Sequence, residues 1–215
     1  VRNEHATLRT QVLVSYGGDP GPQGEVHTAQ SREGDEHCEA TLTYNSIGVF
    51  SGVARSDAAF ATLRGEALVK GRGTLFPYQT AHTSGAFTDR LTFTGGAGEA
   101  SVVYRFSLKG TATGSGLVGA NVYLRHGEDA DEELAEYVTF TGDFASVPHA
   151  VTFGTPVNIR VVMMCDAVLH RKQTGESACR FTLTLESIDV LDASMRPVPG
   201  AAIQSESGTA YAATP

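Results

Sequence analysis

Apolar residues recur at every second position along most of this chain. Val157, Ile159, Val161, Met163 and Cys165 do so, and Cys179, Phe181, Leu183 and Leu185 repeat the pattern. The same spacing runs through Leu8, Thr10, Val12, Val14 and Tyr16, through Val102, Tyr104, Phe106 and Leu108, and through Val118, Ala120, Val122 and Leu124. Successive side chains of a strand point to opposite faces, so a period of two buries one face and wets the other. A helix needs a period near 3.6. Residues 128–137 suggest a single turn, carrying Leu134 and Tyr137; the Ala content of 58–70 also allows a helix, but Gly65 and Gly71-Arg72-Gly73 favour short strands there. The 24 glycines suit the turns between strands. The pattern predicts about ten to twelve short strands. With little helix available for crossovers, they predict an all-β fold, an antiparallel β-sandwich that is jelly-roll-like.

Residues 1–215 read as one domain, with no composition break and no internal repeat. Residues 6–16 form a strand, and Gly17-Gly18-Asp19-Pro20-Gly21-Pro22 breaks it. A polar loop is expected from Gln23 to Cys38, so that residues 1–38 are a strand plus loop available to a neighbouring subunit. Strands 87–94 and 101–109 flank Gly95-Gly96-Ala97-Gly98-Glu99. The apolar phase shifts between Leu185 and Ile188, which predicts a bulge near Glu186-Ser187. A turn over 196–200 then leads to a short strand near 202–204.

The formal net charge of -8 argues against a nucleic-acid partner. No apolar run is long enough for a membrane helix. The chain begins Val1-Arg2-Asn3 without Met or a leader, which fits a processed product.

Pairing Met163 with Phe181 in one hairpin register also pairs Val161 with Leu183, Ile159 with Leu185, and Cys165 with Cys179. A Cys165–Cys179 disulfide is the leading expectation, with two buried free thiols as the alternative. The disulfide implies an oxidising compartment. Cys38 is left over in a polar segment expected to be exposed.

Glu128, Asp129, Asp131 and Glu132 lie in an acidic run whose carboxylates suit calcium, the one cofactor suggested. The run lacks the ligand spacing of an EF-hand, and a solvated charged loop is the alternative. Glu33, Asp35, Glu36, His37 and Cys38 form a second cluster, short of a complete metal site. The seven histidines show no His-x-x-x-His spacing, and Gly114-Ser115-Gly116 is not a nucleophile elbow. Sugar rings stack on aromatic platforms. Trp is absent, which leaves Tyr44, Tyr78, Tyr123, Tyr137 and Tyr211. Strand-borne charges suited to an enzyme on a jelly-roll scaffold are few, chiefly Arg105, Arg125 and Arg160.

The C-terminal stretch Phe181-Thr182-Leu183-Thr184-Leu185, Ile188-Asp189-Val190-Leu191-Asp192-Ala193, Pro197-Val198-Pro199-Gly200 and Ser205-Glu206-Ser207-Gly208-Thr209-Ala210-Tyr211 resembles the closing portion of bacterial PEP-CTERM sorting-domain proteins. Gly85-Ala86-Phe87-Thr88-Asp89-Arg90-Leu91-Thr92-Phe93 is similar to one of their strands, and residues 102–110 to the strand after it. The sequence shows no Pro-Glu-Pro motif, apolar anchor or basic end, and stops about where that tail would begin. The resemblance implies an exported bacterial protein of the cell surface or exopolymer matrix, with no shared catalytic residues.

Two function classes follow. The first is a non-enzymatic extracellular structural protein. It would self-associate or bind other surface or matrix proteins as a fibre subunit, through β-strand addition by Leu8, Val12 and Val14. The alternative is a lectin-like module that binds polysaccharide, with or without calcium.

Overall fold

The computed structural model describes residues 5–18, 21–31, 36–44, 49–72, 78–114, 118–127, 133–138, 141–170 and 173–214. These residues form fifteen strands and no helix. In chain order they are β1 (Thr7–Gly18), β2 (Gly21–Ser31), β3 (Glu36–Tyr44), β4 (Val49–Ala59) and β5 (Thr62–Arg72). Next come β6 (Tyr78–Thr94), β7 (Glu99–Gly114), β8 (Val118–His126), β9 (Glu133–Val138) and β10 (Gly142–Ala145). The last five are β11 (His149–Thr152), β12 (Pro156–His170), β13 (Gly175–Leu191), β14 (Ala202–Ser205) and β15 (Ala213–Thr214).

Two sheets pack face to face as a β-sandwich. The front sheet runs β2-β1-β6-β12-β8-β9, with β14 also on β6. The back sheet runs β10-β7-β13-β5-β4-β3, with β11 on β7 and β15 on β13. Every pairing is antiparallel except the short β13–β15 pair. The alternating positions face inward as expected: Ile159, Val161, Met163 and Cys165 meet Phe181, Leu183 and Leu185 in one core.

Several expectations change. Residues 23–38, expected as a polar loop, supply β2 and the start of β3. Ladder bonds use only the backbone, so a polar sequence can still make an edge strand. The helical turn expected within 128–137 is absent from its described part, where β9 pairs with β8. A lone turn closes too few hydrogen bonds to compete with a ladder. The register shift between Leu185 and Ser187 and the strand β14 match their predicted places.

The Cys165–Cys179 disulfide forms, with Cα atoms 6.1 Å apart, but the hairpin register used to predict it is wrong. β12 pairs with β6 and β8, whereas β13 pairs with β7 and β5. The bond therefore crosses between the sheets. Inward stripes meet equally well side by side in one sheet or face to face across two, and the sequence pattern does not distinguish these. Gly65 of β5 permits the close approach here: a Cβ would lie 2.6 Å from Thr83 Oγ1 and 3.1 Å from Cys165 Cβ. Cys38, expected to be exposed, is buried in the core.

The outer face of the back sheet carries a row of alternating charges. Arg55 bonds both carboxylate oxygens of Glu39 at 3.2 Å and reaches Glu66 at 3.7 Å, and Arg180 closes the row on Glu66. All four are cross-strand partners in register. In the next rows His37 meets Asp57 at 2.6 Å and Lys70 meets Glu176 at 2.8 Å.

Replacing Cys165 and Cys179 together with Ala is expected to lower stability by about 3 kcal/mol, the value for closing a loop of about this length. A denaturation midpoint against the native protein measures it. Thiol titration of the native protein should find Cys38 reactive only after unfolding.

Candidate functional site

The inward phase of β6 reads Phe87, Asp89, Leu91 and Phe93, so one carboxylate falls where apolar residues are expected. The inward phase of β8 likewise ends Val122, Leu124, His126. The two polar residues share a row, because both Asp89 and His126 pair with Ile159 of β12. On the back sheet the buried Tyr104 of β7 pairs with Ile188 of β13. A polar layer thus lies near one end of an otherwise apolar core.

The C-terminal segment completes it. Leaving β13, the chain turns around Asp192, whose Oδ1 accepts from the backbone N–H groups of Ser194 at 2.8 Å and Arg196 at 3.0 Å. These bonds hold the Asp192 carboxyl below the usual carboxylate range. The turn delivers β14 to β6, and residues 206–212 then cross to the back sheet, where β15 joins β13.

On the way the crossing segment clasps Asp89, which is fully buried. Asp89 Oδ1 accepts from the Arg90 N–H at 2.8 Å and the Ser207 N–H at 3.1 Å. Oδ2 accepts from Ser207 Oγ at 2.5 Å and Tyr211 Oη at 2.9 Å. A buried carboxylate without such donors would cost several kcal/mol. Burial, then the Asp89 charge, pushes the Tyr211 phenol up and keeps it a donor. The Phe-x-Asp-x-Leu-Thr strand and the Ser-Gly-x-x-Tyr tail meet at this carboxylate.

Beyond Tyr104 the layer continues into two histidines. Nε2 of His126 lies 3.3 Å from Ala150 O, which can only accept, so Nε2 carries the proton. Nδ1 is then free to accept from Tyr104 Oη at 2.9 Å. One neutral tautomer satisfies both bonds. The His149 ring stacks on His126 with centroids 4.6 Å apart. Burial, with the neighbouring His149, lowers the His126 pKa from 6.5 to about 4; burial also lowers that of His149. Burial raises the Tyr104 phenol.

Chemically this layer is a fastening. Ser207 Oγ faces a carboxylate, but Ile159 separates that carboxylate from His126 in the row. Among the described residues no three metal-ligating side chains converge.

Glu128, Asp129, Asp131 and Glu132 lie outside the described residues, as do Glu33 and Asp35. His37 is exposed and Cys38 buried, as adjacent strand residues on opposite faces must be, so they do not share a ligand site. Leu8, Val12 and Val14 are fully buried in their own sandwich, and both backbone edges of β1 are taken, by β2 and β6. Tyr78 and Tyr123 are half-buried, and Tyr211 serves the clasp. Arg105 bonds the buried Asp189 at 2.8 Å beside the β13 bulge, and Arg125 and Arg160 are paired neighbours on the outer front face. Sequence reasoning missed Asp89 and His126, although a polar residue on a buried phase is a readable signal in each.

Tyr211→Phe removes one donor from a buried carboxylate and is expected to cost about 1–3 kcal/mol. It should also speed amide exchange over 206–214 while β12 and β13 stay protected. Stability should depend on pH through His126. Between pH 6.5 and about 4 the unfolded chain holds a proton that the folded chain does not. Stability therefore falls as pH drops through that window and levels off below it. Thermal melts of the native protein and His126→Gln, which cannot titrate at this position, should differ in slope within the window and agree in slope above and below it.

Comparison of the chain with family models, with curated proteins and with solved structures returns no match.

Proposed function

We propose that this chain is a non-enzymatic structural protein of the bacterial cell surface or exopolymer matrix, a fibre subunit that assembles by β-strand addition. The observation that carries the reading is the place of the N-terminal hairpin. β1 completes the edge of β6 from Gln79 to Thr88, although β2 to β5 separate the two in the chain. In the chain β2 leads on to β3 of the other sheet. The hairpin of a neighbouring copy offers β6 the same ladder and the same Leu8, Val12 and Val14 contacts. Exchange between copies therefore requires no new chemistry. The cross-sheet disulfide and the Asp89 clasp keep the remainder of each copy closed while a hairpin is exchanged. The disulfide also supports an oxidising, extracellular location.

One observation favours the second reading, a polysaccharide-binding module. A hollow of about 150 Å³ on the outer front face has small residues, Ser84 and Ala86, on its floor and Arg9 and Arg160 on its rim. Such a rim suits an acidic glycan, and Tyr123 shares a row with Val162 of the wall.

The experiment is negative-stain microscopy of the native protein and of a stapled variant. Ser15 and Thr80 face each other across β1 and β6 with hydroxyls 3.1 Å apart. Ser15→Cys with Thr80→Cys should therefore bond the hairpin to its own domain. Filaments are expected from the native protein and from each single variant, and none from the oxidised double variant. Filaments from the fully stapled protein would rule out donation by this hairpin. Retention on uronate-rich polysaccharide by an exclusively monomeric protein would favour the second reading.

A further inference from the structure

β10 and β11 are only four residues each and lie end to end on one edge of β7. They pair with Arg105–Leu108 and Glu99–Val102 respectively. Between them Ser146, Val147 and Pro148 leave the ladder. Ser146 remains an anchor: its N–H donates to Tyr104 O at 2.9 Å and its Oγ accepts from the Tyr104 N–H at 3.1 Å. Phe144 stacks on Phe106 at 5.3 Å. The strap is therefore an interrupted edge strand held by few backbone bonds.

Its tie to the other sheet is the histidine pair. His126 is the last residue of β8 in the front sheet. Its Nε2 donates to Ala150 O of the strap, and its ring lies against His149 of the strap. We propose that the β10–β11 strap is an acid-released latch over the edge of β7. His126 and His149 are its trigger, and opening presents residues 99–108 to a strand from a second copy of this chain. The second-copy half rests on the strand-addition reading above; the latch does not.

The chemistry at the pair favours opening. A proton on Nδ1 of His126 opposes the hydroxyl proton of Tyr104, which now has no acceptor there. A second proton, on His149, places two like charges in rings 4.6 Å apart within a partly desolvated site. The groups facing the pair are Tyr104 from β7 and, behind it, Tyr211 of the C-terminal segment with Asp89 of β6. On β12, Ile159 pairs with His126, and Asn158 O accepts from the Gly127 N–H; neither titrates. Both histidines are held neutral by burial near pH 7, so the trigger acts in moderate acid.

The uncovered edge has inward Val102, Tyr104, Phe106 and Leu108 beside it. A continuous extended strand with alternating apolar residues fits the same edge, and gives the Tyr104 N–H a backbone carbonyl in place of Ser146 Oγ. β1 of another copy is such a strand once it has left β6.

The test is hydrogen exchange of the full chain at pH 7 and pH 5, corrected for intrinsic rates. Amides 142–152 are expected to exchange at least about tenfold faster in acid, while those of β12 and β13 keep their protection. His149→Phe keeps a stacked ring without a charge and should reduce the acid increment; His126→Gln should reduce it further, and the two together should abolish it. Equal protection at both pH values, or an increment that survives both substitutions, overturns the latch. Light scattering then reads assembly, expected to be faster at pH 5 for the native protein and pH-independent for the variant carrying both His126→Gln and His149→Phe. A strap that opens in acid without assembly overturns the second-copy half alone. Equal assembly at both pH values keeps the fibre reading and overturns control by the latch.

Discussion

Each long strand in this protein must bury one face and expose the other, and nearly everything else follows from that constraint. A single sheet would leave its apolar face in water. Two sheets let the stripe of β12 meet that of β13, and the stripe of β6 meet those of β4 and β5. The fit depends on small residues where the sheets come closest. Gly65 beside the disulfide is one case, and Gly52, where a Cβ would lie 2.4 Å from Val14 Cγ1, is another. A larger residue at either point would force the sheets apart and loosen the packing on both sides of it.

Near one end the apolar logic gives way to a polar layer. Asp89, Tyr211, Tyr104 and His126 are buried, or nearly so, and each has a hydrogen-bond partner within the layer. A buried network of this kind adds less to net stability than equal apolar area would, because desolvation offsets much of each bond. It does impose a unique geometry. Only one placement of the C-terminal segment brings Ser207 and Tyr211 to the same carboxylate, so the layer specifies how the sandwich ends.

The sequence is legible where the physics is local. Period-two spacing identified the inward residues of β1, β7, β8, β12 and β13, and the phase slip near Glu186 marked a real bulge. It could not tell which strand lies beside which. Cys165 and Cys179 were paired correctly by a register that does not exist, since facing stripes look the same within one sheet and across two. The polar β2 was missed because an edge strand needs backbone partners and no apolar stripe. For the same reason jelly-roll winding is not something a pattern of alternation can specify. Asp89 and His126 stood on buried phases in plain view; their partners lay too far along the chain for spacing to connect.

The row Glu39–Arg55–Glu66–Arg180 has a consequence for how the strands find one another. Sliding β4 past β5 by two residues keeps every apolar side chain facing inward, so burial alone does not forbid it. Charge does oppose it. One direction sets Arg55 against Arg64 and the other sets Asp57 against Glu66, given the native pairs Arg55–Glu66 and Asp57–Arg64. The native ion pairs of the row are exposed and screened by solvent, so each contributes little. The outer face of the back sheet thus acts as a key cut in charges: it adds little to the strength of the closed form, and makes the nearest wrong alignment repel itself.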